Sequence, residues 1–423
     1  MSKNCFRVGM LCLAVGSLAA RPLAAENAAQ WFEARQRMVD EYVVAAGVTN
    51  ARVITAMRSV PRHEFVTPDQ RPNAYFEMCL PIGEGQTISY PFMVASMTER
   101  IAPVSTDRVL EVGTGSGYQA AVLSGLVKDV YTIEIVEKLG RRAAHTLRRL
   151  GYRNVHTRIG DGYQGWPQAA PFDKIIVTCS PEAVPQPLVD QLKEGGRLII
   201  PVGERYQQTL YLFKKEQGEL AAEAIEPTMF VPMTGVAEDE RAVKPDPARP
   251  TLVNGSFEQL LPAGDHPAGW YYVRQGVVAS HPGAPDGDRY LLLSNSVPGR
   301  FAQAFQALGV AGEWVAELDV SLMVRTRGIH TGQSEDQLPR FYVTFFDAER
   351  APIGQGQMGP WPDDSEWTRK TCRMKVPRAA YLAVATICME GSTGEMAVDD
   401  LRIRPVLKEN ERPKLLSRGR TSN

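Results

Sequence analysis

Three glycines and two acids within one stretch have the spacing of a ligand site. Gly113, Gly115 and Gly117 follow a short apolar run. Glu111 lies inside that run, and Glu134 comes 21 residues after Gly113, at the end of the next apolar run. Backbone N–H groups at glycines can approach a ligand closely, and the start of the helix behind them favours negative charge. An acid at the end of the second strand can accept hydrogen bonds from two ribose hydroxyls.

The glycine spacing distinguishes two kinds of nucleoside ligand. Dinucleotide sites read G-x-G-x-x-G and leave room for a pyrophosphate, whereas this stretch reads G-x-G-x-G. The shorter spacing suits a ligand without phosphate, such as S-adenosylmethionine, which has an amino-acid end, a sulfonium and an adenosine. A glycine-rich turn that binds no cofactor is the alternative interpretation.

Strands and helices must alternate around this stretch to position its residues. Six apolar, β-rich runs occur at residues 109–112, 130–135, 155–159, 173–178, 197–202 and 209–213. Helix-like segments separate several of them, and residues 80–91 ahead of them read as a loop that leads into a helix. The alternation predicts an α/β core over residues 27–241: a mostly parallel, Rossmann-like sheet covered on both faces.

The sequence pattern changes after a Pro-rich, polar segment at residues 242–250, which reads as a linker. Residues 251–406 carry short alternating runs separated by turn residues, with little helical periodicity. This pattern predicts an all-β, jelly-roll sandwich domain. Because a linker of this composition joins the two parts, we expect them to fold independently.

The ends of the chain and its composition limit the remaining possibilities. Residues 1–25 have a basic start, an apolar run and small residues, which is typical of a secretory signal peptide; the run is too short to span a membrane comfortably. Residues 407–423 are basic and polar, and we expect disorder there. The net charge of −1 argues against nucleic acid as a partner. The six cysteines and six histidines show no metal-ligand spacing, so we expect no metal site.

A set of motifs in the first half of the chain resembles the protein-L-isoaspartate O-methyltransferase family. They are VPRHEFV (60–66), LPIGEGQTISYP (80–91), VLEVGTGSGYQAA (109–121), GDGYQGWP (160–167), FDKIIVTCSPEAVP (172–185), LKEGGRLIIPVG (192–203) and FVPMTG (230–235). The glycine motif is shared by many methyltransferases, whereas GQTISYP together with VPMTG is far more specific. The resemblance implies methyl transfer from S-adenosylmethionine to the α-carboxylate of L-isoaspartyl residues, which initiates repair of damaged proteins.

The resemblance also implies which residues contact the cofactor. The implied set is Thr87, Ile88, Glu111, Gly113, Gly115, Glu134, Asp161 and Gly162. Glu111 would hold the amino group of the methionine part, directly or through water. Glu134 would bind the ribose, and Asp161 would face the adenine amine. A turn aspartate between two glycines is the alternative interpretation of Asp161.

On the substrate side, the resemblance implies a catalytic hydroxyl. The implied substrate-binding residues are Ser89, Pro185 and Thr234. Ser89 would orient the substrate carboxylate, although a loop hydroxyl that caps the next helix is the alternative. Glu182 resembles part of the family's wall beside the substrate. The chain departs from some relatives at Phe92 and Val94, where they carry histidines, so the substrate contacts there stay open.

The second domain resembles jelly-roll modules of the carbohydrate-binding type. The motifs that carry this resemblance are LVNGSFE (252–258), PAGW (267–270) and VDDLRI (398–403). It implies a glycan or cell-envelope partner, with Trp361 and Trp367 stacked on sugar faces; packing within the domain is the alternative.

The sequence leaves three functions open. The first is an isoaspartyl methyltransferase fused to a sandwich. The second is an O-methyltransferase for another carboxylate or a small molecule. The third is an exported glycan- or envelope-binding protein with an inactive core. The predicted signal peptide favours export, whereas a cofactor made in the cytoplasm favours a cytoplasmic protein, so the location stays open.

Overall fold

A computed structural model describes residues 23–243, 246–262 and 266–408. The predicted signal peptide at residues 1–25 and the predicted disordered tail at 407–423 fall almost wholly outside these ranges. An α/β domain comes first along the chain and a β-sandwich follows it. None of the described helices has the length and apolar character that crossing a membrane requires.

The helices of the described chain belong to the α/β domain. They are α1 (Leu23–Met38), α2 (Ala51–Ser59), α3 (Pro91–Arg100), α4 (Tyr118–Ser124), α5 (Glu137–Arg149), α6 (Gln186–Gln191) and α7 (Val236–Asp239). A π-helical turn, Val39–Val44, continues α1. The apolar sides of α1 to α5 pack in one cluster, and those of α6 and α7 pack in another. The central sheet is therefore covered on both faces, as predicted.

The strands of the α/β domain form one large sheet and one hairpin. They are β1 (Leu80–Gly83), β2 (Gln86–Ile88), β3 (Arg108–Val112), β4 (Asp129–Glu134), β5 (Val155–Ile159), β6 (Phe172–Val177), β7 (Leu192–Glu204), β8 (Gln207–Glu216) and β9 (Glu219–Thr228). The sheet order is β5-β4-β3-β6-β7-β8-β9, parallel as far as β7 and antiparallel beyond it. Because β3 lies between β4 and β6, the strand order reverses there and leaves a crevice at the carboxyl ends of these strands.

The sequence-based prediction was wrong for residues 80–88, which form the hairpin β1–β2 and not a loop. Leu80 pairs with Ile88 in this antiparallel hairpin. The turn between the strands has positive φ at Gly83, Glu84 and Gly85. Strands of four and three residues are too short to show a recognisable alternation of apolar and polar residues, so the glycines led to the prediction of a loop.

The second domain is a sandwich of two antiparallel sheets, as predicted. Its strands are β10 (Tyr271–Arg274), β11 (Gly276–Ser280), β12 (Arg289–Asn295), β13 (Gln303–Gly309), β14 (Val315–His330), β15 (Arg340–Phe346), β16 (Pro352–Met358), β17 (Ser365–Lys375), β18 (Leu382–Cys388) and β19 (Thr393–Leu407). One sheet has the order β10-β13-β18-β15-β16 and the other β11-β12-β19-β14-β17. Phe341 and Phe345 of the first sheet share a buried apolar core with Leu322 and Val324 of the second. Burial of these inward-facing side chains holds the two sheets together.

Candidate functional site

The predicted site residues meet at the carboxyl ends of β3, β4 and β6. A cleft of about 870 Å³ lies there, between the glycine loop, the end of β2 and the loop after β9. The predicted residues that line it are Thr87, Ile88, Ser89, Glu111, Gly113, Gly115, Glu134, Gly162 and Thr234. Asp161 and Pro185 are not among its lining residues. Open α/β sheets bind ligands at this position.

Two glycines beside β3 have no room for a side chain. Gly113 has a φ of 94°, and a Cβ atom there would lie 2.5 Å from Oγ1 of Thr178. A Cβ atom at Gly162 would lie 2.3 Å from Cγ1 of Val112. Atoms do not pack this closely, so both positions require glycine. The bare backbone at these positions leaves the carboxyl end of β3 open to a ligand.

Glu134 joins the glycine loop to the end of β4. Its carboxylate accepts hydrogen bonds from the backbone N–H of Gly115 at 2.7 Å and of Val136 at 3.0 Å. The side chain is almost fully buried, and burial raises its pKa. Each carboxylate oxygen has a further acceptor position, so Glu134 retains capacity for hydroxyl donors of a ligand in the cleft.

Glu111 is a fully buried carboxyl group inside β3. Neither of its oxygens has a hydrogen-bond partner in the described part of the chain. Burial raises its pKa to about 8, because an ionised carboxylate is poorly solvated there. An unpaired buried acid is costly, so this wall of the cleft fits a ligand with a cationic donor, such as the ammonium group of an amino acid.

Ser89 directly follows β2, and its hydroxyl makes no hydrogen bond within the described residues. Arg62 holds its backbone in place. The guanidinium donates to Ser89 O at 2.7 Å and to Ala74 O at 2.9 Å, and it lies 4.9 Å from the ring centroid of Tyr118. Sequence reasoning assigned no role to Arg62. Arg62 is followed by His63 and Glu64 in the motif VPRHEFV, so nothing in the local sequence separates it from an ordinary polar turn.

Asp161 lies behind the cleft and joins two loops. Its carboxylate accepts hydrogen bonds from the backbone N–H of Tyr163 at 2.9 Å and of Val236 at 3.0 Å. The second bond ties it to the segment that carries Thr234, which does line the cleft. These contacts occupy one acceptor position on each oxygen, and the predicted contact with adenine stays a prediction.

The two residues predicted from the segment after β6 lie outside the cleft lining. Pro185 is buried and precedes α6. Glu182 accepts hydrogen bonds from the backbone N–H of Ala242 and Val243, with the second at 3.1 Å. Glu182 therefore anchors the start of the segment that leads to the sandwich. That capping role depends on residues 60 positions away in the sequence, so no local motif indicated it.

The electrostatics of the cleft narrow the class of protein. None of its described lining residues is a lysine or an arginine, so it offers no basic side chain to a phosphate. Its acids suit the ammonium group and the ribose of an amino-acid nucleoside. The fold and the site together define an S-adenosylmethionine-dependent methyltransferase.

Comparison with known proteins identifies the family within this class. The family model described as protein-L-isoaspartate(D-aspartate) O-methyltransferase (PCMT) matches residues 33–238, and the chain belongs to this family. A protein-L-isoaspartate O-methyltransferase of Opitutus terrae is 53% identical over 201 residues, which are 47% of this chain and 86% of the relative. One of Gloeobacter violaceus is 52% identical over 198 residues, covering 47% of this chain and 97% of the relative. A solved structure titled protein-L-isoaspartate O-methyltransferase is 31% identical, with a TM-score of 0.45, covering 58% of this chain and 84% of that one.

Proposed function

We propose that this chain is a protein-L-isoaspartate O-methyltransferase that methylates the α-carboxylate of L-isoaspartyl residues in damaged proteins and peptides. Its relatives carry that name and are matched over most of their length. One observation in the site carries the proposal: Ser89 lines the same cleft as Glu111 and Glu134. A carboxylate held by Ser89 would therefore lie beside the cofactor.

The cofactor residues have distinct roles in this proposal. Bound S-adenosylmethionine supplies a methyl group on a sulfonium, which leaves as a neutral thioether. The carboxylate of Glu111 would hold the ammonium group of the methionine part. Glu134 would accept hydrogen bonds from the ribose hydroxyls, and Asp161 would accept one from the adenine amine. The segment Thr87–Ile88 would close over the same ligand from the hairpin side.

The substrate residues need only to orient and to exclude water. A substrate carboxylate is already ionised near neutral pH, so its oxygen can form the new C–O bond without a general base. Ser89 donates a hydrogen bond that aligns this oxygen with the methyl carbon, and Thr234 covers the substrate from the opposite loop. Orientation and removal of water then account for the rate.

The sandwich gives no support to a glycan ligand. Trp361 belongs to the buried core of the domain. Trp367 packs edge-to-face on Tyr290 with ring centroids 5.4 Å apart, and the guanidinium of Arg325 lies 5.1 Å from its ring. Both aromatic side chains are thus engaged in packing, and we propose no sugar-binding role for either.

Transfer of a labelled methyl group to an isoaspartyl peptide, compared with its aspartyl twin, tests the function. We expect transfer to the isoaspartyl peptide alone. Ser89→Ala should lower kcat roughly ten- to a thousandfold, the effect of losing one aligned donor. The Kd for S-adenosylhomocysteine, the demethylated product, should stay the same because the glycine loop and its acids remain.

A matched control removes a serine hydroxyl elsewhere in the same domain. Ser124 donates to Ala121 O at the end of α4 and does not line the cleft, so Ser124→Ala should keep full kcat. Equal transfer to both peptides would contradict the substrate assignment. A Ser89→Ala protein with full kcat would falsify the role of the serine, and one that loses cofactor affinity would show that the hydroxyl is structural.

A further inference from the structure

The β-sandwich contacts the segment that carries Ser89. Tyr272, on β10 of the sandwich, donates its hydroxyl hydrogen bond to the backbone oxygen of Glu77 at 3.0 Å. Arg274, two residues further on, places its guanidinium 3.5 Å from the Glu77 carboxylate. Both side chains are mostly buried by these contacts. The sandwich therefore packs directly against the α/β domain at Glu77.

Aromatic contacts extend this interface to the residues directly after Ser89. The ring of Tyr272 packs edge-to-face on Tyr90, with centroids 4.7 Å apart and planes at 82°. The guanidinium of Arg274 lies 4.3 Å from the ring centroid of Phe92. Stacking of this kind is attractive, and it is stronger where water is excluded.

Glu77 connects the sandwich to the start of α3, because its carboxylate contacts both Arg274 and the backbone of Phe92. Its carboxylate accepts a hydrogen bond from the backbone N–H of Phe92 at 3.2 Å, and only 11% of its side chain is exposed. An acid at this position satisfies an otherwise unpaired N–H of the first helical turn. Arg274 thus holds both Glu77 and the helix start that follows Ser89.

The turn of the hairpin is also covered by the sandwich. The backbone oxygen of Ala348, between β15 and β16, would lie 3.3 Å from a Cβ atom at Gly85. Arg62 of the α/β domain holds the backbone of Ser89 from the other side, at 2.7 Å. In the segment from Glu77 to Phe92, Glu77 at the start therefore contacts the sandwich, whereas Ser89, near the end, is held by Arg62 of the α/β domain.

The backbone of β10 adopts a rare conformation where it meets the α/β domain. Tyr272 has a φ of 56°, which is uncommon for a residue other than glycine, asparagine or aspartate. The pairing of β10 with β13 shifts register between Tyr271 and Arg274, at the same place. The shift coincides with two consecutive tyrosines that both contact the α/β domain, since Tyr271 packs against Met229. Strain of this kind persists only where the surrounding contacts stabilise it.

We infer that Tyr272 and Arg274 of the sandwich are positioning residues for the methyl transfer proposed above, on which this inference rests. They hold the segment of Ser89 in the conformation that orients the substrate carboxylate. They act through Glu77, Tyr90 and Phe92 and do not line the cofactor cleft. The sandwich is thus a working part of the catalytic unit.

Arg274→Met in the full-length chain tests this inference. The change keeps an apolar side chain against Phe92 and removes the charge that faces Glu77. We expect kcat on an isoaspartyl peptide to fall roughly five- to fiftyfold, in keeping with a small displacement of an aligned group. The Kd for S-adenosylhomocysteine should stay within about twofold of the wild-type value. Tyr272→Phe, which removes only one hydroxyl, should give a smaller fall in kcat and covers the case in which the methionine variant does not fold.

Two comparisons separate positioning from a general loss of structure. Arg325→Met is the matched control, because that guanidinium packs 5.3 Å from the Tyr290 ring within the sandwich; kcat should not change. In a Ser89→Ala background, Arg274→Met should lower kcat by less than about a further twofold, because the arginine acts through the serine. Full additivity of the two changes, or an unchanged kcat in both sandwich variants, would overturn the inference.

Hydrogen exchange keeps this test distinct from the test of the function. Amides of β1 and β2 should exchange at least about fivefold faster in Arg274→Met and at the wild-type rate in Arg325→Met. If the wild-type chain transfers no methyl group to the isoaspartyl peptide, the proposed function fails. The exchange rates then still decide whether the sandwich holds the segment of Ser89, and unchanged rates in Arg274→Met would overturn that part of the inference.

Discussion

We expect the buried carboxyl group of Glu111 to make cofactor binding depend on pH. With a pKa of about 8 in the free protein, roughly one molecule in eleven is ionised there at pH 7. A ligand ammonium placed beside this group stabilises the ionised form. Binding of S-adenosylhomocysteine should therefore release a proton, and its affinity should rise with pH until Glu111 is ionised in the free protein.

The ionised fraction sets the size of the effect. Between pH 5.5 and 7.0 the ionised fraction of a group with a pKa of about 8 rises roughly thirtyfold. The Kd for S-adenosylhomocysteine should fall by about that factor, which corresponds to about 2 kcal/mol. Over this range the ammonium group of the ligand stays mostly protonated, so it adds little to the change.

Glu111→Gln is the matching perturbation, because it keeps the size of the side chain and removes the ionisable group. The affinity of this variant should be weaker by about 1.5–3 kcal/mol at pH 8, where about half of wild-type Glu111 is already ionised in the free protein. From pH 5.5 to 7.0 its Kd should lack the thirtyfold change. Glu134 is a second buried acid in the cleft, and it is present in both proteins. The difference between the two proteins therefore isolates Glu111.

Calorimetry at several pH values, in two buffers of different protonation enthalpy, measures both the Kd and the protons released. For the wild type at pH 7 we expect release of roughly half a proton to one proton per molecule bound. A wild-type affinity that does not change with pH would refute the reasoning. The same pH dependence in Glu111→Gln would assign the proton to another group.

The free energy of unfolding of the ligand-free protein gives an independent check on the raised pKa of Glu111, because the direction of its change with pH follows from that pKa. The pKa of Glu111 in the folded protein lies above its ordinary value of 4.5. Between about pH 4.5 and pH 8 the folded state therefore binds more protons than the unfolded state. The free energy of unfolding contributed by this group therefore falls as pH rises from about 4.5 to 8. In urea, the wild type should lose stability relative to Glu111→Gln across this window.

Two further predictions concern the walls of the same cleft. Glu134→Ala should weaken S-adenosylhomocysteine binding by about 1.5–3 kcal/mol in calorimetry, whereas Glu137→Ala on the exposed side of α5 should not; an unchanged affinity would mean that the ribose acid is misassigned. Gly162→Ala should lower the free energy of unfolding by about 1–3 kcal/mol, because its Cβ atom would overlap Val112. Gly125→Ala has open space around its Cβ atom and should be nearly neutral, so equal losses in urea would contradict this account.

Local patterns in the sequence were sufficient for the fold class and for the centre of the cleft. The spacing of Gly113, Gly115 and Glu134 follows from one strand, one loop and one helix in succession. Contacts within such a unit span about twenty residues, so the sequence order itself brings these residues together. Glu111 shares this advantage, because it lies on the strand that precedes the loop.

The role of the serine segment depended on contacts that no local pattern specifies. Arg62 reaches Ser89 across 27 residues, and Tyr272 reaches Glu77 across 195. Such contacts depend on where a whole domain packs and on single charged or aromatic side chains, which have no periodicity to recognise.

The linker is a second case in which the local sequence did not predict a long-range contact. Its composition predicted two separate domains, because Pro-rich polar segments favour exposed connections. Whether the domains then pack together depends on the complementarity of two surfaces. Those surfaces include the bend at Tyr272 and the acid at Glu77, and they exist only once each domain has folded. The sequence by itself determined the two folds and the cofactor end of the cleft, whereas the tertiary structure alone decided that the sandwich contacts the segment of Ser89 at Glu77, Tyr90 and Phe92.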